Sequence, residues 1–106
     1  MAKLEDFKKL EIKIGKILEV KDHPNADKLY VVTVDLGDSK RQLVAGVKGS
    51  YAKESLVGKQ IVVLTNIEPA VLRGVESQGM LLAASDESGI SILTTDKPVK
   101  LGSIVK

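Results

Sequence analysis

From Glu11 the chain alternates apolar and polar positions with a period of two. Ile12, Ile14, Leu18 and Val20 share one parity, and Glu11, Lys13 and Glu19 share the other. That spacing predicts a half-buried strand. Gly15-Lys16 interrupts it, and a glycine inside a strand marks a sharp bend or bulge, as at a barrel corner. Before it, Leu4 and Phe7 sit three apart, so residues 4–9 can form one helical turn resting on the core. "DHPNADK" reads as a turn in which Pro24 holds His23 extended and Asn25 caps a short helical turn through Asp27.

"LYVVTVDL" is rich in β-branched residues and predicts a second strand. "GDSK" is hairpin chemistry, and "RQLVAGV" is the return strand. "SYAKESLVG" permits a short helix stopped by Gly58. "KQIVVLTN" is a fourth strand, almost wholly apolar at its centre, and "GMLLAAS" a fifth. No long amphipathic helix separates any of these, which argues against a doubly wound α/β domain. The expected architecture is all-β: one domain over 1–106, a five-stranded OB-fold barrel from about residue 10 to 85 with short helical turns. An SH3-like barrel is the second candidate. Residues 86–106 form a C-terminal extension that still carries Ile90, Ile92, Leu93, Val99, Leu101, Ile104 and Val105. They either cover an end of the barrel or meet another chain, and uncovered apolar surface marks an interface. A dimerisation role for this extension is the expectation.

Composition narrows the chemistry. The chain has no cysteine and one histidine, which excludes thiol catalysis and zinc sites built from Cys or His clusters. No run approaches the about 20 apolar residues of a membrane span, and "MAKLEDFKKL" lacks the apolar segment of a signal peptide. A cytoplasmic setting is expected. Net charge is only +2, but it is unevenly placed. Residues 40–80 hold Lys40, Arg41, Lys48, Lys53, Lys59 and Arg73 against Glu54, Glu68 and Glu76. That excess is compatible with a polyanionic partner and equally with an ordinary solvated surface.

No enzymatic signature emerges. "GVKGSY" has the wrong spacing for a P-loop, and neither G-x-G-x-x-G nor G-x-S-x-G occurs. His23, beside a proline in a turn, reads as a surface residue, and Glu68 and Glu76 read as solvated charges. No catalytic residue, metal or cofactor is expected. An OB barrel binds oligonucleotides on strands 2 and 3 and through the 1–2 and 4–5 loops. Those regions hold Lys28, Lys40, Arg41, Gln42, Asn66, Arg73 and Ser77. Single-strand binders stack bases on aromatic rings, and this chain owns only Phe7, Tyr30 and Tyr51. The chemistry therefore favours a surface that reads backbone and shape in a folded RNA.

The blocks "NADKLYVVTVDLG", "RQLVAGV" and "LVGKQIVVLTNIEPAVLRGVESQGMLLAAS" resemble, in order and spacing, the tRNA-binding domain of methionyl-tRNA synthetases. That domain also occurs as a free-standing tRNA-binding protein, in eukaryotic synthetase-associated cofactors and cytokines, and in CsaA-type chaperones. The resemblance covers residues 10 to 106. It implies a dimeric OB-fold module, without catalysis of its own, that binds tRNA by shape and assists a methionyl-tRNA synthetase in trans. The rival reading within the family is a CsaA-like peptide-binding chaperone dimer. A third is an assembly module whose apolar tail docks into a synthetase complex. The positions matching the family's contact region are Lys28, Arg41, Asn66, Arg73, Ser77 and Met80. Lys28, Arg41 and Arg73 would neutralise phosphates, and Asn66 and Ser77 would meet sugars or base edges. Met80 would lie against a ribose or base. Many relatives carry Lys where this chain has Glu68 and Val71. Both changes remove positive charge from the binding loop, so weaker, more salt-sensitive tRNA binding, or help from a partner, is implied, and the chaperone reading gains from it.

Overall fold

A computed structural model describes all 106 residues. Its elements are α1 (Leu4–Lys8), β1 (Ile12–Asp22), β2 (Tyr30–Asp35), β3 (Lys40–Ala45), α2 (Lys53–Leu56) and β4 (Gln60–Leu64). The hairpin β5 (Ala70–Leu72) and β6 (Val75–Ser77) follows, then β7 (Met80–Leu81), β8 (Ala83–Asp86) and β9 (Gly89–Ile92). The main sheet is antiparallel in the order β3-β2-β1-β4-β7, and it curls into a nearly closed barrel. The five-stranded OB-like barrel is as the sequence implied.

The bend in β1 makes this curl possible. Its first half, Ile12–Lys16, pairs with β4, while Lys16–Asp22 pairs with β2. The two ladders hand over at Lys16, and the register slips between Ile17 and Glu19, the signature of a bulge. Gly15 sits at the corner because nothing larger fits. A Cβ there would lie 2.4 Å from Val34 Cγ1 and 3.1 Å from the Asp35 carbonyl oxygen.

The bulge also changes which side chains point inward. Ile17 joins the barrel core with Val32, Val34, Leu43, Leu56, Ile61 and Val63, while Leu18 faces solvent. Ile12 and Ile14 belong to a second cluster on the outside of the wall, with Val62 and Leu64. Adjacent residues of β4 thus alternate between two buried faces, which explains its unbroken apolar run. Leu82, Val99 and Val105 cover the outer cluster.

That cover assigns a place to the C-terminal extension. Where β2 peels away from β1, the second edge of Ile12–Ile14 is left open, and residues 102–105 fill it. Ile14 N–H donates to Ser103 O (2.9 Å), Gly102 N–H to Ile14 O (2.8 Å) and Val105 N–H to Ile12 O (2.9 Å). The Gln60 side chain pins the segment further up. It donates to Val99 O (2.7 Å) and accepts from Val99 N–H (3.1 Å) and the Thr95 hydroxyl (2.9 Å). Ile92 enters the main core. The expected fifth strand splits into β7 and β8, and β8 pairs with β9, so no boundary falls at residue 85.

Three local expectations change. α1 contains no buried residue, so Leu4 and Phe7 do not rest on the core. Its start is fixed instead by Asp6, whose carboxylate accepts from Lys3 N–H (2.9 Å). The segment after Pro24 is a turn rather than a helical turn. His23, expected at the surface, is buried. Gly58 does end α2, with φ +89°.

An ion-pair cluster ties the end of β1 to α2. The Asp22 carboxylate lies 3.0 Å from Lys53 Nζ and 3.2 Å from Lys48 Nζ. The hydrogen bond from Lys53, then that from Lys48, holds its carboxyl below the ordinary value of 3.8. A depressed folded-state pKa stabilises the fold above the ordinary value, and the effect is lost as pH falls through the folded-state value. Asp22→Asn should therefore reduce the loss of stability on acidification below about pH 4. Urea titrations at a series of pH values check this, and parallel acid limbs in wild type and variant would count against it. Gly15→Ala should lower stability by about 1–3 kcal/mol through overpacking against Val34 and Leu36. An unchanged urea midpoint would show that the corner can relax.

Candidate nucleic-acid interface

The barrel closes where β3 meets residues 76–78, and side chains make most of that seam. Gln42 and Gln78 exchange contacts: Gln78 N–H donates to Gln42 O (2.8 Å), and Gln42 N–H donates to Gln78 Oε1 (3.0 Å). Gln42 Nε2 donates to Glu76 O (2.8 Å). Val44 N–H donates to the Ser77 hydroxyl (2.9 Å), which donates in turn to Gly79 O (2.9 Å). Arg41 reaches across the same seam, and its Nη1 donates to Thr65 O and to Gln78 O (3.2 Å).

From this seam projects the β5–β6 hairpin, which replaces the open loop expected between strands 4 and 5. Its two-residue turn is Arg73-Gly74, with φ +54° and +90°. Positive φ at both positions is the geometry that matches the twist of a tight hairpin. Gly74 adopts it freely. Arg73 does so at a cost on the order of 1–2 kcal/mol, and its side chain stands exposed at the tip. Arg73 forms no ion pair, nor does Lys28. Both line one shallow depression of about 410 Å³ with Asn25, Ala26, Asp27 and Leu29. On the other flank of the hairpin, Met80 is 45 % exposed. With Val44, Ile67, Ala70 and Leu72 it lines an apolar cleft of about 120 Å³, with Glu68 also in the lining.

The six residues singled out in the sequence thus divide. Lys28, Arg73 and Met80 present their side chains to solvent around the hairpin. Arg41 is half-buried, its Nη1 held by two carbonyls. Asn66 is tied at both ends of its amide: Oδ1 accepts from Glu11 N–H (2.7 Å) and Nδ2 donates to Lys9 O (2.7 Å). Ser77 is buried with its hydroxyl both donating and accepting inside the protein. The Ser77 hydroxyl is thus engaged by the scaffold, because β3 needs a partner for Val44 N–H at that point. Asn66 splices α1 to β1. Val71 stands exposed on the hairpin.

Both tyrosines are engaged elsewhere. Tyr30 is buried and donates to Tyr51 O (2.7 Å), and the Tyr51 hydroxyl accepts from Ile92 N–H (3.0 Å). No base-stacking platform forms from them. Beside the seam, Glu11 is held below the ordinary carboxylate range by the Thr65 hydroxyl first, then Lys13, with a smaller contribution from Arg41. No group of three or more His, Asp or Glu residues is arranged to hold a metal, and no helix is long and apolar enough to cross a membrane.

Sequence reasoning missed these roles of His23, Asn25 and Gln78, and put Gln42 on the binding face rather than in the seam. Each acts on a partner 34 or more residues away, and no local pattern marks such a pairing.

Comparison with known proteins matches this architecture. The tRNA-binding domain family model covers residues 12–104. The methionine–tRNA ligase of Thermococcus onnurineus is 57% identical over 105 residues, and that of Pyrococcus horikoshii 59% identical. The alignments take in 99% of this chain but 14% of each ligase, so the chain spans only a small part of the curated relatives it matches. Among solved structures, a MetRS-related protein from Pyrococcus horikoshii superposes with TM-score 0.93 at 30% identity, covering 100% of this chain and 98% of that one. The chaperone CsaA from Bacillus anthracis superposes with TM-score 0.91 at 25% identity, covering 100% and 99%. The matched segment is a non-catalytic module. A bent, closed barrel with a cation-tipped hairpin, matched along nearly its whole length by one family model, places the chain in the tRNA-binding domain family.

Proposed function

We propose that this chain reads the shape of folded tRNA and delivers it to a methionyl-tRNA synthetase in trans, as a homodimer. The observation that carries the reading is the pair of unpaired cations, Lys28 and Arg73, that line one depression beside the hairpin. Cations held at a set spacing recognise a phosphate backbone of set geometry. With both tyrosines engaged in the fold, shape and charge rather than ring stacking carry the binding.

Arg73 and Lys28 meet phosphates, and Met80 packs against a sugar or base. Arg41 contributes charge from within the seam. Asn66 and Ser77 act on the scaffold. A chaperone reading is favoured by one observation, the apolar cleft beside Met80, together with the likeness to CsaA. Glu68 lines that cleft and Val71 is exposed on the same hairpin, which weakens its attraction for phosphate.

Gel shifts across a salt series with folded tRNA, unfolded RNA and an apolar peptide separate the two readings. Folded tRNA should bind best. Equal binding of unfolded RNA would end shape reading, and peptide binding without tRNA binding would favour the chaperone. Arg73→Ala should weaken tRNA binding and flatten the log–log salt slope by roughly one unit, with stability unchanged. Ser77→Ala should do the reverse. It leaves Val44 N–H without a partner, costing about 1–3 kcal/mol, with the slope intact. Interchanged outcomes would reassign the two residues.

The homodimer is supported by apolar surface that the chain leaves uncovered, Leu4 and Leu10 around α1 and Ile104 beside β1. The extension that carries Ile104 also completes the barrel wall, so a point change tests the interface better than deletion. The chain should elute at twice its 11.4 kDa mass, and Ile104→Glu should elute as a folded monomer. A wild-type monomer at micromolar concentration would end the dimer proposal.

A further inference from the structure

The β5–β6 hairpin has three residues in each strand and belongs to neither of the other sheets. A hairpin that short is at best marginal alone. The seam at Ser77 and Gln78 anchors its base. Its tip, where Arg73 holds a left-handed conformation, needs an anchor of its own.

Two side chains from the turn after β1 supply it. His23 Nδ1 accepts from Asn25 N–H (2.9 Å), so that ring nitrogen carries no proton. The ring proton is on Nε2, which donates to Leu72 O (2.8 Å). Asn25 Nδ2 donates to Arg73 O (3.1 Å). Two consecutive carbonyls at the hairpin tip are thus held from one turn, and Pro24 between the two residues restricts that turn. His23 is buried, so its ring leaves water only the exposed Leu72 side from which to compete for this bond. Lys28 lies on the same segment. The clasp therefore holds together the two backbone segments from which the cations project.

We propose that His23 and Asn25 are positioning residues that clasp the hairpin tip and set the Arg73–Lys28 spacing that a tRNA backbone meets. The proposal rests on the tRNA reading above. Neither residue touches the RNA; both act through the carbonyls of Leu72 and Arg73.

Substitutions at His23 separate its two bonds. In His23→Asn the amide oxygen replaces Nδ1 for Asn25 N–H, but nothing reaches Leu72. In His23→Gln the terminal amide nitrogen replaces Nε2 and restores the donor to Leu72. Amide hydrogen exchange by NMR on the full chain without RNA reads the clasp, and a tRNA titration reads its consequence. His23→Asn should speed exchange of the β5–β6 amides by about fivefold to tenfold, the scale of one lost hydrogen bond, with the barrel amides unchanged. It should weaken tRNA binding several-fold, and adding Arg73→Ala should cause no further comparable loss. His23→Gln should stay within about twofold of wild type in both readouts. Asn25→Ala, at an exposed position, should loosen the tip in the same direction and serves where His23→Asn does not fold.

Wild-type binding by His23→Asn despite fast hairpin exchange would overturn the positioning role. So would equal losses in His23→Gln and His23→Asn, or losses that multiply with Arg73→Ala. Unchanged hairpin exchange in His23→Asn or Asn25→Ala would overturn the clasp itself. A wild-type chain that ignores tRNA would sink the tRNA reading separately, since the exchange measurements contain no RNA.

Discussion

The outward backbone groups of β3 must be satisfied for the barrel to close, and no full-length strand is available to do it. Side chains and short backbone segments do so instead. Ser77 takes Val44 N–H, Gln78 and Gln42 take one another, and Arg41 spans to the carbonyls of Thr65 and Gln78. A buried N–H without such a partner is expensive, so the residues that close the wall have little freedom to vary. The same contacts root the hairpin that presents Arg73. Closure of the barrel and presentation of the cations are therefore one structural problem with one solution.

The division of labour among the polar residues follows from it. Residues whose side-chain atoms are all engaged within the protein cannot also greet a ligand without giving up those bonds. Asn66 and Ser77 fall in that group; Lys28, Arg73 and Met80 do not. Arg41 stands between, with one nitrogen in the seam. The face is sparse in positive charge, with Glu68 and Val71 beside the hairpin's single arginine.

The strands were legible because period-two patterning and β-branched runs are local signals, and so was Gly15 as a corner. The order of blocks pointed to the family. What was illegible lies in pairings distant along the chain. The inward parity of β1 could not be followed past a bulge, so Leu18 was expected inside and Ile17 took its place. The apolar excess of β4 gave no hint that its second face is covered by Val99 and Val105. His23 looked like a surface residue because its partner, Leu72, is 49 residues away. Ser77 and Arg73 look equally polar in a string of letters, yet a two-residue turn puts one outside and the strand beyond it puts the other within.

The pairing of residues 102–105 with the start of β1 has an architectural consequence. It brings the two ends of the barrel's wall together, Val105 N–H lying 2.9 Å from Ile12 O. The last residues therefore leave the barrel beside the start of β1. The first and last strands of the wall thus lock one another, so fraying of the C-terminal residues would expose the edge of β1.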